Sequence, residues 1–327
     1  IAHRVEKAIW RYVKLKKQGK KAGFPRFKSI DRMKSLYYPQ AGFSLDKKLK
    51  TNPFGEIQIV RHRQIKGRIK TLTLKRELSG KWFACFSVEE EKQIQKTNKG
   101  GRVGIDLGLK NFATLSNRIK IENPRHLKKH ENRLAFLQRK LSKKIRGSAN
   151  RKKSKKKVAL LHEKVANTRR GFLHNLSHHL VNIYSFIALE ELSSKKMSEE
   201  NYGKQIRDAG WNMFASMLAY KAEEAGCQMV FVNPKDTTKE CSACGSIQNM
   251  PLSERTYHCP VCGMHEDRDL NASLNILNRA TAGITHRLFG ADGAPTPTGV
   301  GCAGSNACGD ERALLSEKQE AHAFRRG

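Results

Sequence analysis

Four of the eight cysteines stand in two closely spaced pairs. The pairs are Cys241–Cys244 and Cys259–Cys262, and 14 residues separate them. A CxxC pair can place two thiolates on one metal ion through a tight turn, and Gly245 and Gly263 follow the pairs where such a turn needs a flexible backbone. Four thiolates favour Zn²⁺ in a closed structural site. The spacing therefore predicts a zinc ribbon.

Other interpretations of these cysteines are open. A CxxC pair can be redox-active, and His258 and His265 are near enough in sequence to replace a cysteine as ligand. We expect both histidines to be bystanders because four cysteines already complete a tetrahedral site.

Three segments contribute carboxylates that could bind a hard cation. Asp106 lies inside an apolar strand, where a buried acid needs a partner or a metal ion. Either Glu190 or Glu191 must point inward at the end of the apolar strand 186–189. Asp269 begins the last predicted helix. Each acid also has an ordinary structural explanation. Asp106 and the glutamate of the second segment could be strand residues that face solvent, and Asp269 could be a helix N-cap.

The order of predicted elements gathers these acids. Three short strands (103–107, 112–116 and 118–121) precede a helical insertion, for which we predict Asn123 as N-cap and Pro124 as the first helical residue. A strand, a helix, a strand, the cysteine segment and a last helix follow. This is the order of a ribonuclease-H-like α/β fold, in which the acids would converge at one edge of the sheet. Three carboxylates there could hold two Mg²⁺ or Mn²⁺ ions and hydrolyse phosphodiesters.

The charge of the chain points to a polyanionic partner. Lys and Arg number 63 against 30 Asp and Glu, a formal net charge of +33. Residues 139–157 contain no acid, although a solvated helix face normally mixes signs, and this run lacks the aromatic anchors of a membrane-surface helix. We therefore expect phosphate contacts from its basic residues, which are Arg139, Lys140, Lys143, Lys144, Arg146, Arg151, Lys152, Lys153, Lys155, Lys156 and Lys157.

The two ends of the chain carry weaker signals. Residues 36–90 alternate like strands and suggest a small barrel or a strongly twisted sheet. From about residue 283 the composition predicts a disordered tail. No run is long and apolar enough for a membrane helix, and no secretory signal is visible, so we expect a cytoplasmic, nucleoid-associated protein. Because the chain begins at Ile1, we expect a fragment or a processed product.

Taken together, these motifs resemble the TnpB family of transposon-encoded nucleases. The resemblance rests on residues 23–28, 104–116, 187–192, 208–226, 232–245 and 259–280, and on the basic helices. It implies an RNA-guided DNA endonuclease with a RuvC-type site at Asp106, Glu190 and Asp269. Glu190 is preferred to Glu191 because the family's Glu precedes an acidic residue and a Leu, and Asp269 is the acid two residues before Asn271. The implied partners are a guide RNA from its own locus and a double-stranded DNA target, with no membrane and no small-molecule substrate.

The resemblance also implies a division into domains. We expect a remnant of a helical recognition lobe (1–35), a wedge-like β-barrel (36–98), a first RuvC-like part (99–235) with a basic helical hairpin (123–185), a zinc ribbon that binds target nucleic acid (236–265), the last RuvC-like helix (266–282) and the tail (283–327). Two alternatives are a truncated, non-cleaving nucleic-acid-binding regulator and a transposase that joins strands.

Overall fold

The computed structural model describes residues 2–26, 29, 32–90, 98–192, 203–251, 254–288 and 317–321. No helix in this described part of the chain is long and apolar enough to span a bilayer. The chain divides into two compact units, one made of residues 1–93, 146–160 and 304–327 and the other of residues 94–145 and 161–303.

The helices and strands follow one another in an order close to the predicted one. They are α1 (Ala2–Lys17), β1 (Ser35–Tyr38), β2 (Phe43–Leu45), β3 (Leu49–Thr51), β4 (Gly55–Ile57), β5 (Arg68–Arg76), β6 (Trp82–Glu89), β7 (Gly101–Leu107), β8 (Asn111–Leu115), β9 (Lys120–Glu122), α2 (Glu131–Ser142), α3 (Ala149–Ile183), β10 (Tyr184–Glu190), α4 (Gly203–Ala209), α5 (Trp211–Ala225), β11 (Gln228–Val232), β12 (Thr256–His258), β13 (His265–Asp267), α6 (Arg268–Leu288) and β14 (Glu317–Ala321). A 3-10 turn, Lys128–His130, precedes α2.

The first unit is built on two antiparallel sheets, ordered β1-β5-β6-β14 and β2-β3-β4. Alternate residues of β5 and β6, such as Leu72, Leu74 and Phe86, are buried with Leu49 of β3 in one apolar core. Period-2 burial is what a strand with one solvated face produces. The predicted β region is therefore confirmed, while its closure into a wedge barrel stays a prediction.

The tail predicted to be disordered from residue 283 is ordered at two places. Helix α6 runs on to Leu288, and Glu317–Ala321 pairs antiparallel with β6. At these residues the prediction is wrong, and the rest of the tail lies outside the described residues. The physical reason at β14 is that an edge strand offers unpaired N–H and C=O groups to another segment, which composition alone does not reveal.

The second unit contains a five-stranded sheet of order β11-β10-β7-β8-β9. Strand β7 pairs antiparallel with β8 and parallel with β10, which in turn pairs parallel with β11. This arrangement confirms the mixed α/β core that the order of predicted elements indicated. Phe112 is fully buried under the helices, with its ring centroid 5.2 Å from those of both Phe172 and Phe214 in edge-to-face contacts.

The helical insertion starts later than predicted. Helix α2 begins at Glu131 and not at Pro124. The Asn123 Oδ1 accepts a hydrogen bond from the Arg125 N–H (3.1 Å), as an N-cap would, and its Nδ2 donates to the Leu109 carbonyl (3.0 Å), but no helix starts at Pro124. Arg125 then adopts a left-handed φ of 47°, which is incompatible with continuing a helix. The Asn-Pro pair thus closes a turn.

Candidate active site and cysteine cluster

Two of the predicted acids lie on neighbouring parallel strands. Strands β10 and β7 pair with Leu189 opposite Ile105, so the next residues, Glu190 and Asp106, end side by side at the same edge of the sheet. Both are buried, each with 8% of its surface exposed. Glu191 is exposed. Of the two candidate glutamates, Glu190 is therefore the one that points inward.

A close approach between β7 and α6 brings the third acid to this edge. A Cβ on Gly104 would lie 2.2 Å from the Ser273 carbonyl oxygen and 2.8 Å from the Leu277 nitrogen, so only glycine lets the helix pack on the strand here. Asp106 is two residues beyond Gly104 on the same strand face, and Asp269 is four residues before Ser273 on the same helix face. The packing thus directs both acids to one place.

Asp267 performs the capping role that was the alternative for Asp269. Its Oδ1 accepts hydrogen bonds from the backbone N–H groups of Asp269 (3.1 Å) and Leu270 (3.2 Å). Its Oδ2 accepts one from Lys120 (2.6 Å). Although partial burial raises the pKa of Asp267, these hydrogen bonds hold it below its ordinary value. The Asp269 carboxylate is not needed for the cap.

The electrostatics of the three acids favour a cation between them. Burial raises the pKa of Asp106 well above its ordinary value, and the negative charges of Glu190 and Asp269 raise it further, against the positive charge of Arg268. Burial also raises the pKa of Glu190, against a hydrogen bond from Thr237 and the charge of Arg279. Acids that are desolvated and repel one another are stabilised by a divalent cation, and carboxylate oxygens are the ligands that Mg²⁺ and Mn²⁺ prefer. The residues present fit such an ion.

The cysteine cluster is more tightly gathered than the acids. Among the described residues, the four thiols are the one group of three or more potential ligands whose atoms all lie within 4.8 Å of one another. Sγ–Sγ distances are 3.6 Å for Cys241–Cys262 and 3.6 Å for Cys244–Cys259. A tetrahedral ion with metal–sulfur bonds of about 2.3 Å requires sulfur atoms about 3.8 Å apart. The cluster therefore fits a tetrahedral metal ion, and neither His258 nor His265 belongs to it.

The two halves of the cluster repeat one turn. The N–H of Gly245 donates to the Cys241 carbonyl and that of Gly263 to the Cys259 carbonyl, both at 2.9 Å. These glycines have φ of 76° and 74°, values that side chains rarely tolerate. Both turns were predicted from the glycine positions. Hydrogen bonds from Ser246 and from the Cys262 backbone lower the pKa of Cys259, which favours the thiolate that a metal binds.

The loop between β11 and the first cysteine connects the two sites. Buried Thr237 donates its hydroxyl hydrogen bond to Glu190 Oε1. From α6, Asn275 Nδ2 donates to the Thr237 and Glu240 carbonyls (2.9 and 2.6 Å), and Asn271 Oδ1 accepts the Ser242 N–H (2.9 Å). The loop is thus fixed at one end by Glu190 and along its length by helix α6, which carries Asp269.

Sequence reasoning gave Thr237 no role, since its partner lies 47 residues away. The signal that could have found it is a hydroxyl residue between the end of a buried strand and the first CxxC pair. The predicted basic residues of 139–157 belong to the end of α2, its connection and the start of α3, and all but Arg151 are exposed.

Two family models and several known proteins match this chain. Residues 85–201 match a family model described as OrfB_IS605, probable transposase, and residues 211–276 match one described as Cas12f1-like, TNB domain. The chain is 32% identical over 278 residues to the putative RNA-guided DNA endonuclease InsQ of Escherichia coli K12, covering 79% of this chain and 69% of that protein. It is 37% identical over 210 residues to a putative RNA-guided DNA endonuclease of Streptomyces pristinaespiralis, covering 63% of this chain.

A solved structure, the cryo-EM structure of a Cas12f1–sgRNA–target DNA complex, matches with a TM-score of 0.48 at 22% identity, over 64% of this chain and 45% of that chain. The chain spans about half the length of the Streptomyces relative, 52%. The chain thus matches a model of probable transposases and two putative RNA-guided DNA endonucleases. The chain belongs to the TnpB family.

Proposed function

We propose that this protein is an RNA-guided DNA endonuclease of a transposable element, with Asp106, Glu190 and Asp269 as its catalytic residues. The observation that carries the proposal is the convergence of these three acids, two of them buried, at one sheet edge in a TnpB-family chain. A site of this composition suits metal-assisted phosphodiester hydrolysis.

Asp106, Glu190 and Asp269 would hold Mg²⁺, in our proposal two ions. Bound there, Mg²⁺ supplies activation of the attacking water and stabilisation of the leaving oxygen. The chain itself provides preorganisation. Adjacent strands fix Asp106 and Glu190, and Thr237 orients Glu190 through its hydroxyl. Asp267 caps α6, so that the Asp269 carboxylate is left with only long ion-pair contacts, to Arg268 (3.8 Å) and Arg255 (4.0 Å). Ligands fixed in this way need little rearrangement when a metal ion binds.

The nucleic acid partners follow from charge and family. Both relatives described above are named putative RNA-guided DNA endonucleases. A net charge of +33 and the exposed cations of 139–157 favour binding of a phosphate backbone. We infer a guide RNA, from the element's own locus, and a double-stranded DNA target. Phosphate contacts supply affinity and position, so base pairing by the guide would supply the sequence choice.

The four-cysteine cluster would hold one structural Zn²⁺. Its thiols have the separation that a tetrahedral Zn²⁺ needs, and no ligand position is left for a substrate. The match of residues 211–276 to the Cas12f1-like TNB model supports a ribbon that contacts the target nucleic acid.

The test begins with the RNA that co-purifies with the protein from cells carrying the locus. Sequencing that RNA supplies the guide, and DNA containing the matching sequence supplies the substrate. Wild-type protein is expected to cut this DNA in Mg²⁺ and not in EDTA. Asp106→Asn is expected to lower the cleavage rate by about a thousandfold or more while target binding is unchanged. Cleavage by Asp106→Asn at the wild-type rate would reject the site.

A second candidate function is DNA strand transfer, which the matched family model favours by its description as a probable transposase. The same acid site could direct a 3′ hydroxyl instead of water at the phosphodiester. A plasmid assay distinguishes the two, because strand transfer leaves joined products whereas hydrolysis leaves free ends. A protein that binds target DNA in Mg²⁺ with neither product would be the non-cleaving regulator.

A further inference from the structure

A basic pocket lies beside the turn that ends β7, the strand that carries Asp106. It has a volume of about 310 Å³ and is lined by Leu109, Lys110, Asn123, Arg125, Lys128, Gln205 and Asp208. These residues come from three separate places in the chain, which are the β7–β8 turn, the segment after β9 and helix α4. All three cationic side chains of the lining are exposed to solvent. Nothing in the predicted basic run 139–157 contributes to this pocket.

The one carboxylate of the pocket is already satisfied. Asp208 Oδ1 pairs with Arg169 Nη2 at 2.6 Å, and its Oδ2 accepts the Leu127 N–H at 2.9 Å. Both partners of the Asp208–Arg169 pair are largely buried, with side chains 10% and 20% exposed. Among the described residues, Lys110, Arg125 and Lys128 take part in no ion pair within 4.0 Å. The pocket therefore presents an excess of positive charge to solvent.

The side chain of Asn123 joins the two loops that carry the cations. Its Nδ2 donates to the Leu109 carbonyl, next to Lys110, and its Oδ1 accepts the Arg125 N–H. This second bond holds Arg125 at a left-handed φ of 47°, a conformation that is strained for a non-glycine residue. The fold thus sets Lys110 and Arg125 on opposite loops facing one pocket.

We propose that this pocket binds a phosphodiester group of a nucleic acid strand. Several cations converging on an open cleft suit a tetrahedral oxyanion, and Arg can donate two parallel hydrogen bonds to its oxygens. The inference that the phosphate belongs to a nucleic acid rests on the proposed function. Because Lys110 follows Asp106 by one short turn, a strand held here enters the catalytic edge from the β7–β8 side.

The test uses the full chain and measures binding without cleavage. Single-stranded DNA and RNA oligonucleotides of one sequence are titrated by fluorescence anisotropy, in EDTA, over a series of KCl concentrations. The pocket variant combines Lys110→Gln with Arg125→Gly, since glycine accepts the left-handed backbone without strain. The control variant combines Lys129→Gln with Arg118→Gly. It also removes two exposed positive charges, one of them at a positive φ, and neither residue lines the pocket. Arg118 differs from the pocket cations in that it pairs with Glu266 (2.7 Å).

The pocket variant is expected to bind about tenfold more weakly near physiological salt. The slope of log K against log salt should fall by about 0.7 for the single-strand phosphate that is lost. The control should change affinity by less than about threefold. If the pocket variant binds only RNA more weakly, the pocket holds the guide. If it binds only DNA more weakly, the pocket holds the target. Weaker binding of both would mean that the pocket accepts either kind of strand.

Equal losses in the pocket and control variants would overturn the proposal, and so would wild-type protein that binds neither oligonucleotide. Thermal unfolding checks that both variants are folded, and Arg125→Gly alone provides a second variant that relieves backbone strain. Cleavage plays no part in this readout. If this test succeeds and the protein nevertheless fails to cut guided DNA, the pocket proposal stands and the proposed nuclease function is rejected.

Discussion

The two candidate metal sites of this protein are assembled in opposite ways. The four cysteines lie within one short segment, and two copies of the same glycine-dependent turn position them. The three acids come from β7, β10 and α6 and meet through strand register and a helix–strand contact at Gly104. A local site needs little from the rest of the fold, whereas an acid site of this kind exists only when the entire sheet is formed. A single local substitution should therefore destroy the cysteine site alone, whereas the acid site should be lost with any change that disrupts the sheet.

Removal of the thiolate ligands should have the largest effect, and it should be local. Cys259→Ser is expected to abolish zinc binding and unfold residues 236–265, because structural zinc supplies about 10 kcal/mol or more of folding free energy in small zinc domains. Zinc content and hydrogen exchange measure this outcome. Cys85→Ser, outside the cluster, should keep one zinc per chain. Loss of protection throughout β7 and β10 in Cys259→Ser would contradict the local character of the cluster.

Adding a side chain where β7 and α6 touch should have the next largest effect, and it should destabilise the whole sheet unit. In Gly104→Ala the added Cβ meets backbone atoms of Ser273 and Leu277, which a side-chain rotation cannot relieve. We expect a loss of about 3 kcal/mol in the free energy of unfolding, measured by chemical denaturation, and loss of cleavage. Gly101→Ala on the same strand has open space around its Cβ and should be nearly neutral. Equal stability of the two variants would show that the helix does not approach this strand so closely.

Thr237 is where the two sites join, and its hydroxyl should matter more for activity than for stability. Thr237→Val preserves the shape and removes the hydrogen bond to Glu190. Loss of a partner that orients a metal ligand typically lowers metal affinity or activity by about 10- to 100-fold. The Mg²⁺ concentration for half-maximal cleavage should rise accordingly, and Mn²⁺ binding followed by electron paramagnetic resonance should weaken.

Thr237→Ser serves as the control because it retains the hydroxyl. It should stay near the wild-type Mg²⁺ requirement. If Thr237→Val and Thr237→Ser behave alike, the hydroxyl does not position Glu190, and the two sites are independent.

The smallest effect is expected from the ion pair between β9 and β13. Lys120 Nζ lies 2.6 Å from Asp267 Oδ2, but these side chains are 41% and 35% exposed. Such a pair contributes about 0.5 kcal/mol and is screened by salt. Lys120→Ala should lower the free energy of unfolding by that amount in low salt, and Lys129→Ala should leave it unchanged. A loss above about 2 kcal/mol would mean that this contact holds β13 in place.

The same contrast explains what the sequence could predict. Local patterns were sufficient for the cysteine turns, for the strand ending at Glu190 and for the order of the sheet elements, because each depends on neighbouring residues or on hydrophobic period. Asn123 misled the prediction because an N-cap and an Asx turn have the same sequence signature, and the left-handed backbone of Arg125, beside a contact to the Leu109 carbonyl of another loop, decides between them.

Long-range contacts mark the limit of that reasoning. The hydrogen bond of Thr237 to Glu190 and the place of Gly104 under α6 connect residues far apart in the chain, which periodicity cannot reveal. Burial distinguishes Glu190 from Glu191, whereas the residues by themselves are compatible with either and only the family resemblance favours Glu190.

The most direct test of the account compares these adjacent glutamates in guided cleavage of target DNA. Glu190→Gln removes the charge of the inward carboxylate, and Glu191→Gln makes the same change on its exposed neighbour. We expect Glu190→Gln to lower the cleavage rate by about a thousandfold or more with target binding retained, and Glu191→Gln to cut at nearly the wild-type rate. Equal rates for the two variants, or a greater loss in Glu191→Gln, would contradict a nuclease site built from Asp106, Glu190 and Asp269.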